Sequence, residues 1–269
     1  MAFQAWLAEC TRSPRKINKM LETNNLHKSF EGFKALTAID FKLNEGERHA
    51  IIGPNGAGKT TFFNLITGHT QPSSGEIRYK GNLISGLKPY TIVKLGVARS
   101  FQRINIYPRM TVFQNVQVAL IAQKNQHFRF FTKAHNLHKK ETEDLLELVD
   151  LSEELEDIAG ELAYGKQKQL ELAISLAADP RLLLLDEPTA GMSPNETMES
   201  IQLINHIAET RSLTLLFTEH DMGVVFGIAD RISVLHHGQI LASGTPEAVR
   251  QDTEVRKVYL GEEIGNGPA

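Results

Sequence analysis

The sequence predicts an α/β fold. A parallel β-sheet wound between helices carries a phosphate-binding loop, and an antiparallel β layer lies beside it. Three observations carry that expectation. Gly53–Thr60 reads GPNGAGKT and lies between an apolar run, Arg48–Ile52, and a breaker-free apolar run, Phe62–Ile66. That strand–loop–helix context is what a phosphate cradle needs. Leu182–Leu185 is an unbroken leucine run between Pro180 and Pro188, the pattern of a strand buried on both faces. Downstream, buried strands alternate with helix-period segments, which is how a parallel sheet is wound.

The bulk properties agree. With 269 residues and 41% hydrophobic content, the chain suits one large domain or a core with an inserted subdomain. A net charge of −3 offers no global field for nucleic acid. Cys10 is the only cysteine, which excludes an internal disulfide and fits a reducing compartment. No stretch approaches the ~18 apolar residues of a membrane span, and the start MAFQAWLAEC makes a poor signal peptide. A cytoplasmic chain is expected, with any membrane role acting through partners.

Residues 1–20 carry Arg12, Arg15, Lys16 and Lys19 around Pro14 and are expected to form a detached extension, with Met20 as a candidate biological start. A single domain is expected over 21–262, with a short tail at 263–269. From Leu21 to Glu47 the pattern is β: Ile39, Phe41 and Leu43 alternate with polar residues, and turns fall at Glu31-Gly32 and Glu45-Gly46. Glu76–Tyr79 predicts a further strand. The antiparallel layer and phosphate-loop core are expected over 21–100 and 166–262. Between them, about 101–165, strand signals are few. Thr111–Gln123 and Leu137–Val149 have helical spacing, so an inserted helical subdomain is expected. Within it Asn125–Lys140 is basic and aromatic, and is read as a solvated segment with Phe128, Phe130 and Phe131 turned inward. Leu170, Ala173, Ile174 and Ala177 stripe a helix that ends before Asp179-Pro180. Ser193-Pro194-Asn195-Glu196 is a capping box that opens a helix with Ile201, Ile204, Ile207 and Ala208 on its apolar face. Leu213–Phe217 is the next buried strand and Met222–Ala229 a helix. Ile232–Leu235 and Gln239–Ala242 form a hairpin turning at His237-Gly238, and Thr245 opens a last helix.

The chemistry follows from residue type and position. Gly53, Gly56 and Gly58 let the backbone turn tightly and bring N–H groups to phosphate oxygens. The helix that follows offers its positive end to the same anion. Lys59 adds a mobile charge for the β- and γ-phosphates, and the Thr60 hydroxyl suits Mg²⁺. Asp186, at the carboxyl end of the leucine strand, is the second anchor for that ion. Glu187 follows at once, placed to polarise an attacking water. His220 lies just past the neighbouring strand, where α/β sheets bind ligands.

Together these residues resemble the ATP-binding cassette (ABC) ATPases, from about Met20 to Glu262. The resemblance makes the fold a P-loop NTPase of the ABC ATPase type. It makes Gly53, Pro54, Asn55, Gly56, Ala57, Gly58, Lys59, Thr60 and Thr61 the nucleotide loop, and Glu187 the catalytic glutamate. It makes Gln102, in Ala98–Gln102, the residue that senses Mg²⁺ and the attacking water. Phe30 takes the place of the aromatic that stacks on adenine, and His220 that of the switch histidine. Ala163-Tyr164-Gly165-Lys166 stands where the family's glycine signature contacts ATP bound to a second cassette. The chain departs from the usual pattern there: Ala163 replaces a serine, Tyr164 a glycine and Lys166 a glutamine, and Gly165 is kept. Ser193 also replaces an aspartate.

The variant segments LAYGKQKQLELA, EPTAGMSPNET and FTEHDMGVVFGIADRI resemble the ATPase subunits of branched-chain (hydrophobic) amino-acid uptake systems. That resemblance implies Mg-ATP hydrolysis at the cytoplasmic face of the membrane. It also implies a second ATPase subunit, two membrane permease subunits and an extracytoplasmic binding protein. The same branch serves urea and short amides, which keeps a second cargo class open. A nucleic-acid or ribosome ATPase fits less well, because the chain has no long heptad run and only one cassette. A P-loop kinase or GTPase needs neither the glycine signature nor Glu187.

Overall fold

A computed structural model describes residues 18–100, 104–124 and 137–260. Two sheets organise it. β1 (Lys19–Phe30), β2 (Phe33–Asn44), β4 (Ser74–Tyr79) and β5 (Asn82–Leu83) form an antiparallel sheet in the order β2-β1-β4-β5. β3 (Arg48–Ile52), β6 (Val97–Ser100), β7 (Leu182–Asp186), β8 (Thr214–Thr218), β9 (Arg231–His236) and β10 (Gln239–Gly244) form the second sheet. Its order is β10-β9-β3-β8-β7-β6. All its pairings are parallel except the β9–β10 hairpin. Among the described residues the longer helices are α1 (Lys59–Ile66), α2 (Pro89–Lys94), α3 (Val112–Gln123), α4 (Lys139–Leu148), α5 (Tyr164–Leu176), α6 (Pro194–Thr210), α7 (Met222–Ile228) and α8 (Pro246–Gln251).

The leucine run explains the layering. Successive strand residues point to opposite faces. Leu183 and Leu185 join a core with Val116, Leu146, Leu170 and Ala173 from the middle helices. Leu182 and Leu184 join the other core, with Phe62 and Phe63 of α1 and Leu21, Ile39 and Ile77 of the antiparallel sheet. The parallel sheet is therefore covered on both sides, and β7 and β8 are buried at every residue. Local capping sets the helix starts: Thr111 and Ser193 each close a full capping box, and Pro194 occupies the first turn of α6.

Two expectations need adjustment, and two elements went unread. The fold begins before Leu21. Lys19 pairs with Asn44, Met20 is 1% exposed, and its carbonyl accepts from Lys80 N. Burying a methionine in this way contributes about 1.5–3 kcal/mol, so Lys19 and Met20 belong to the sheet rather than to a detached extension. β6 and α2 carry too few apolar residues to be read from pattern alone. On α6 it is Leu203, with Ile204, Ile207 and Ala208, that is buried, and Ile201 is only partly so. Residues 1–17, the aromatic segment holding Phe128, Phe130 and Phe131, and the tail 263–269 lie outside the described residues.

Candidate nucleotide site

The loop between β3 and α1 is shaped by two glycines with no room for a side chain. Gly53 has φ +154°, and a Cβ there would stand 2.0 Å from the Leu235 carbonyl oxygen. Gly58 has φ +109°, and its Cβ would meet Leu36 Cδ2 at 2.7 Å and Ala35 O at 2.9 Å. These contacts press the loop between β2 and β9. Gly58 is the N-cap of α1, no side chain caps that end, and the first turn holds no acid. The end therefore presents free backbone donors and the positive pole of the helix.

Lys59 folds back onto its own loop. Its ammonium donates to Gly53 O at 2.6 Å and Pro54 O at 3.3 Å. Burial lowers its pKa, and the charges of Glu187 and Asp186 oppose that shift. Thr60 is exposed at the first turn, and Asn55 and Gly56 are exposed at the loop tip.

Asp186 ends β7 and is 5% exposed. Its Oδ2 accepts from Arg99 Nη2 at 2.6 Å and its Oδ1 from the Thr218 hydroxyl at 2.8 Å. Glu187 adopts φ +51°, a left-handed backbone unusual for a non-glycine. Its N–H is anchored to Thr218 O at 3.1 Å and Thr218 Oγ1 at 3.2 Å. Its Oε1 accepts from His220 Nε2 at 2.8 Å. Glu219 is buried at 3% exposure and ties two loops together. It accepts from Thr189 N at 2.9 Å and Thr189 Oγ1 at 2.7 Å, and from His220 N at 3.2 Å.

Lys59, Asp186, Glu187 and His220 thus lie together just past the carboxyl ends of β3, β7 and β8. Phe30 ends β1 opposite Phe33 and is 45% exposed, with Lys28 Nζ 4.6 Å from its ring centroid. Gln102 lies outside the described residues; the strand leading to it ends at Ser100, in register with Leu185. Ala163 is the N-cap of α5 with no side-chain cap bond. Tyr164 is 43% exposed, and its ring lies 3.4 Å from where a Cβ on Gly191 would stand. A Cβ on Gly165 would meet Glu196 Oε1 at 2.9 Å, and Lys166 is paired with Glu154. Gln167 donates to Leu162 O at 2.9 Å, so its amide closes the turn before the helix. Sequence reasoning missed Arg99, Thr218, Thr189 and Glu219. The only signals were a charge inside a strand and polar residues flanking a strand end.

Known proteins resemble the chain along most of its length. The model of the ABC transporter family matches residues 36–190, and that of the branched-chain amino acid ATP-binding cassette transporter matches residues 239–264. The high-affinity branched-chain amino acid transport ATP-binding protein BraF of Pseudomonas aeruginosa is 41% identical over 250 residues, covering 90% of this chain and 98% of its own. A nucleotide-free ATP-binding cassette from an ABC transporter superposes with a TM-score of 0.79 at 29% identity, covering 90% of this chain and 98% of its own. A dimeric post-hydrolysis cassette bound to ADP and phosphate has a TM-score of 0.72 at 25% identity, covering 84% of this chain and 99% of its own.

Proposed function

Because the chain belongs to the ATP-binding proteins of ABC transporters, we propose that it is the ATP-hydrolysing subunit of an importer for branched-chain amino acids. The observation that carries the hydrolytic half is the meeting of Lys59, Asp186, Glu187 and His220 beside an uncapped helix end. The cargo follows from the likeness to BraF.

The loop amides of Gly56–Thr61 and the Lys59 ammonium hold the β- and γ-phosphates, and Phe30 stacks on the base. On binding, Lys59 exchanges its two loop carbonyls for phosphate oxygens. The Thr60 hydroxyl and the Asp186 carboxylate are hard oxygen donors, a set that suits Mg²⁺. Thr60 and Asp186 would hold that ion, which would offset negative charge on the phosphates. Glu187 takes the proton of the attacking water, and His220 and Thr218 hold Glu187 in position for it. Gln102, which lies outside the described residues, is assigned to the same water and ion on motif position.

Ala163–Lys166 faces ATP on a second cassette. The uncapped α5 N-terminus supports this, since it offers Gly165 amides where Ala163 lacks a hydroxyl. No helix among the described residues is long and apolar enough to cross a membrane. The chain sits at the cytoplasmic face by docking on two permeases, which receive cargo from an extracytoplasmic binding protein. No role on nucleic acid is proposed. The test is purification from native membranes followed by reconstitution in vesicles. ATP hydrolysis stimulated by leucine or valine with the co-purified binding protein is expected. Stimulation by urea or short amides instead would overturn the cargo, and absence of hydrolysis under every condition would overturn the reading.

A further inference from the structure

We propose that Arg99 makes the metal site of this chain conditional on nucleotide, by occupying the Asp186 carboxylate as a fixed monovalent cation. The inference rests on the reading of Asp186 as a metal anchor. Arg99 lies on β6, whose register sets it opposite Leu184, two residues before Asp186. Its Nη2 meets Asp186 Oδ2 at 2.6 Å, and the two side chains are 5% and 6% exposed.

The guanidinium is also held from α1. Its Nη1 donates to Asn64 Oδ1 at 2.7 Å, and its central carbon lies 5.5 Å from the Phe63 ring centroid. A planar fork gripped on two sides cannot swing away without breaking both hydrogen bonds, and a guanidinium cannot shed its charge. The remaining oxygen of Asp186 takes the Thr218 hydroxyl. Both carboxylate oxygens are therefore engaged without any metal.

Two consequences follow from charge. First, the carboxylate stays aimed in the nucleotide-free chain, because Arg99 and Thr218 each hold one of its oxygens. Second, a divalent ion arriving alone finds its carboxylate already neutralised and is repelled by the fixed guanidinium. Only an ion that comes with a triphosphate brings enough negative charge to offset that repulsion. Metal and nucleotide then bind as coupled events, each raising the affinity for the other. Arg99 is a positioning residue: it acts through Asp186.

The test uses Mn²⁺ as the probe on the full chain. Free Mn²⁺ is counted by electron paramagnetic resonance, with and without a non-hydrolysable ATP analogue. The wild type is expected to bind Mn²⁺ well only with the analogue. Arg99→Gln should bind Mn²⁺ in the nucleotide-free state at least about tenfold more tightly, and adding Asp186→Asn should abolish that gain. Asn64→Ala keeps the charge but frees the fork, and should give a smaller gain in the same direction; it carries the test if Arg99→Gln does not fold. Unchanged nucleotide-free affinity in the folded variants would overturn the role of Arg99. So would a wild type that binds Mn²⁺ equally with and without analogue. A wild type that fails to bind Mn²⁺ even with the analogue would instead overturn the metal-site reading beneath it.

Discussion

The two ends of the parallel sheet are built from the same strands and do different work. At the amino end, β3 opens on Arg48, whose side chain reaches Asp230 at 2.8 Å and Asn205 at 3.0 Å. Next to it Glu47 Oε1 lies 2.7 Å from His49 Nδ1, and His49 Nε2 lies 2.8 Å from Ser233 Oγ. That network closes on itself within the chain. At the carboxyl end, β3 runs into the phosphate loop, α1 starts without a side-chain cap, Thr60 is exposed, and the His220 side chain is 42% exposed. Charges there are braced from behind by Arg99 and Thr218, while the donors in front stay open. A closed polar network stabilises the fold. One that is fixed on one side and open on the other is ready for a ligand. The comparison predicts a double dissociation, in which changes at one end alter turnover and changes at the other alter stability.

The largest effect is expected at Glu187. Glu187→Gln keeps the shape and the contact with His220 but cannot accept a proton. Turnover should fall by about 10²–10⁴-fold, with nucleotide affinity unchanged and stability altered by less than about 0.5 kcal/mol. Steady-state hydrolysis together with thermal melts checks both halves. Wild-type turnover would remove Glu187 from the reaction.

Thr218 is where the dissociation is hardest to keep, because its one hydroxyl serves both purposes. It donates to Asp186 and accepts from the Glu187 N–H. Thr218→Val leaves a buried carboxylate oxygen without that donor, costing about 1–3 kcal/mol. It also loosens the two carboxylates, so kcat should drop about tenfold or more, with KM for ATP within about twofold. Thr218→Ser restores the hydroxyl and should recover both properties. A Val variant with lost stability and normal kcat would mark Thr218 as purely structural.

What was legible in the sequence was local or repetitive physics. The glycine loop, the leucine run, the hairpin at His237-Gly238 and the capping box at Ser193 each declare themselves within a few residues. What was hidden depends on distant partners. Arg99 meets Asp186 across 87 positions and Thr218 meets it across 32. Only the folded sheet makes β6, β7 and β8 neighbours. Arg99 left one trace, a charge within the short strand Val97–Ser100, since a buried charge requires a partner. Lys19 and Met20 looked detached because their pairing comes from β2 and the loop after β4, not from their own pattern. Gln102 keeps its assigned place on motif position alone, two residues beyond the end of β6.

The smallest effect, and the one that sharpens the contrast most, belongs to Asp230 at the amino end. Burial alone would raise its pKa, but the hydrogen bonds and charge of Arg48 outweigh that and hold it below the usual carboxylate value. A depressed folded pKa contributes stability above the unfolded value of about 3.9, and that contribution is lost as pH falls through the folded value. Asp230→Asn keeps the shape and removes the charge. Because the pair is partly exposed, the loss at pH 7 should stay under about 1 kcal/mol, or about 2–4 °C in melting temperature for a chain of this size. The gap to wild type should narrow as pH falls from the unfolded value of about 3.9 through the lower folded value, where Asp230 itself becomes neutral. ATP turnover at pH 7 should not move. A variant that melts normally but hydrolyses slowly would tie the amino end to the reaction and end the division of labour between the two ends of the sheet.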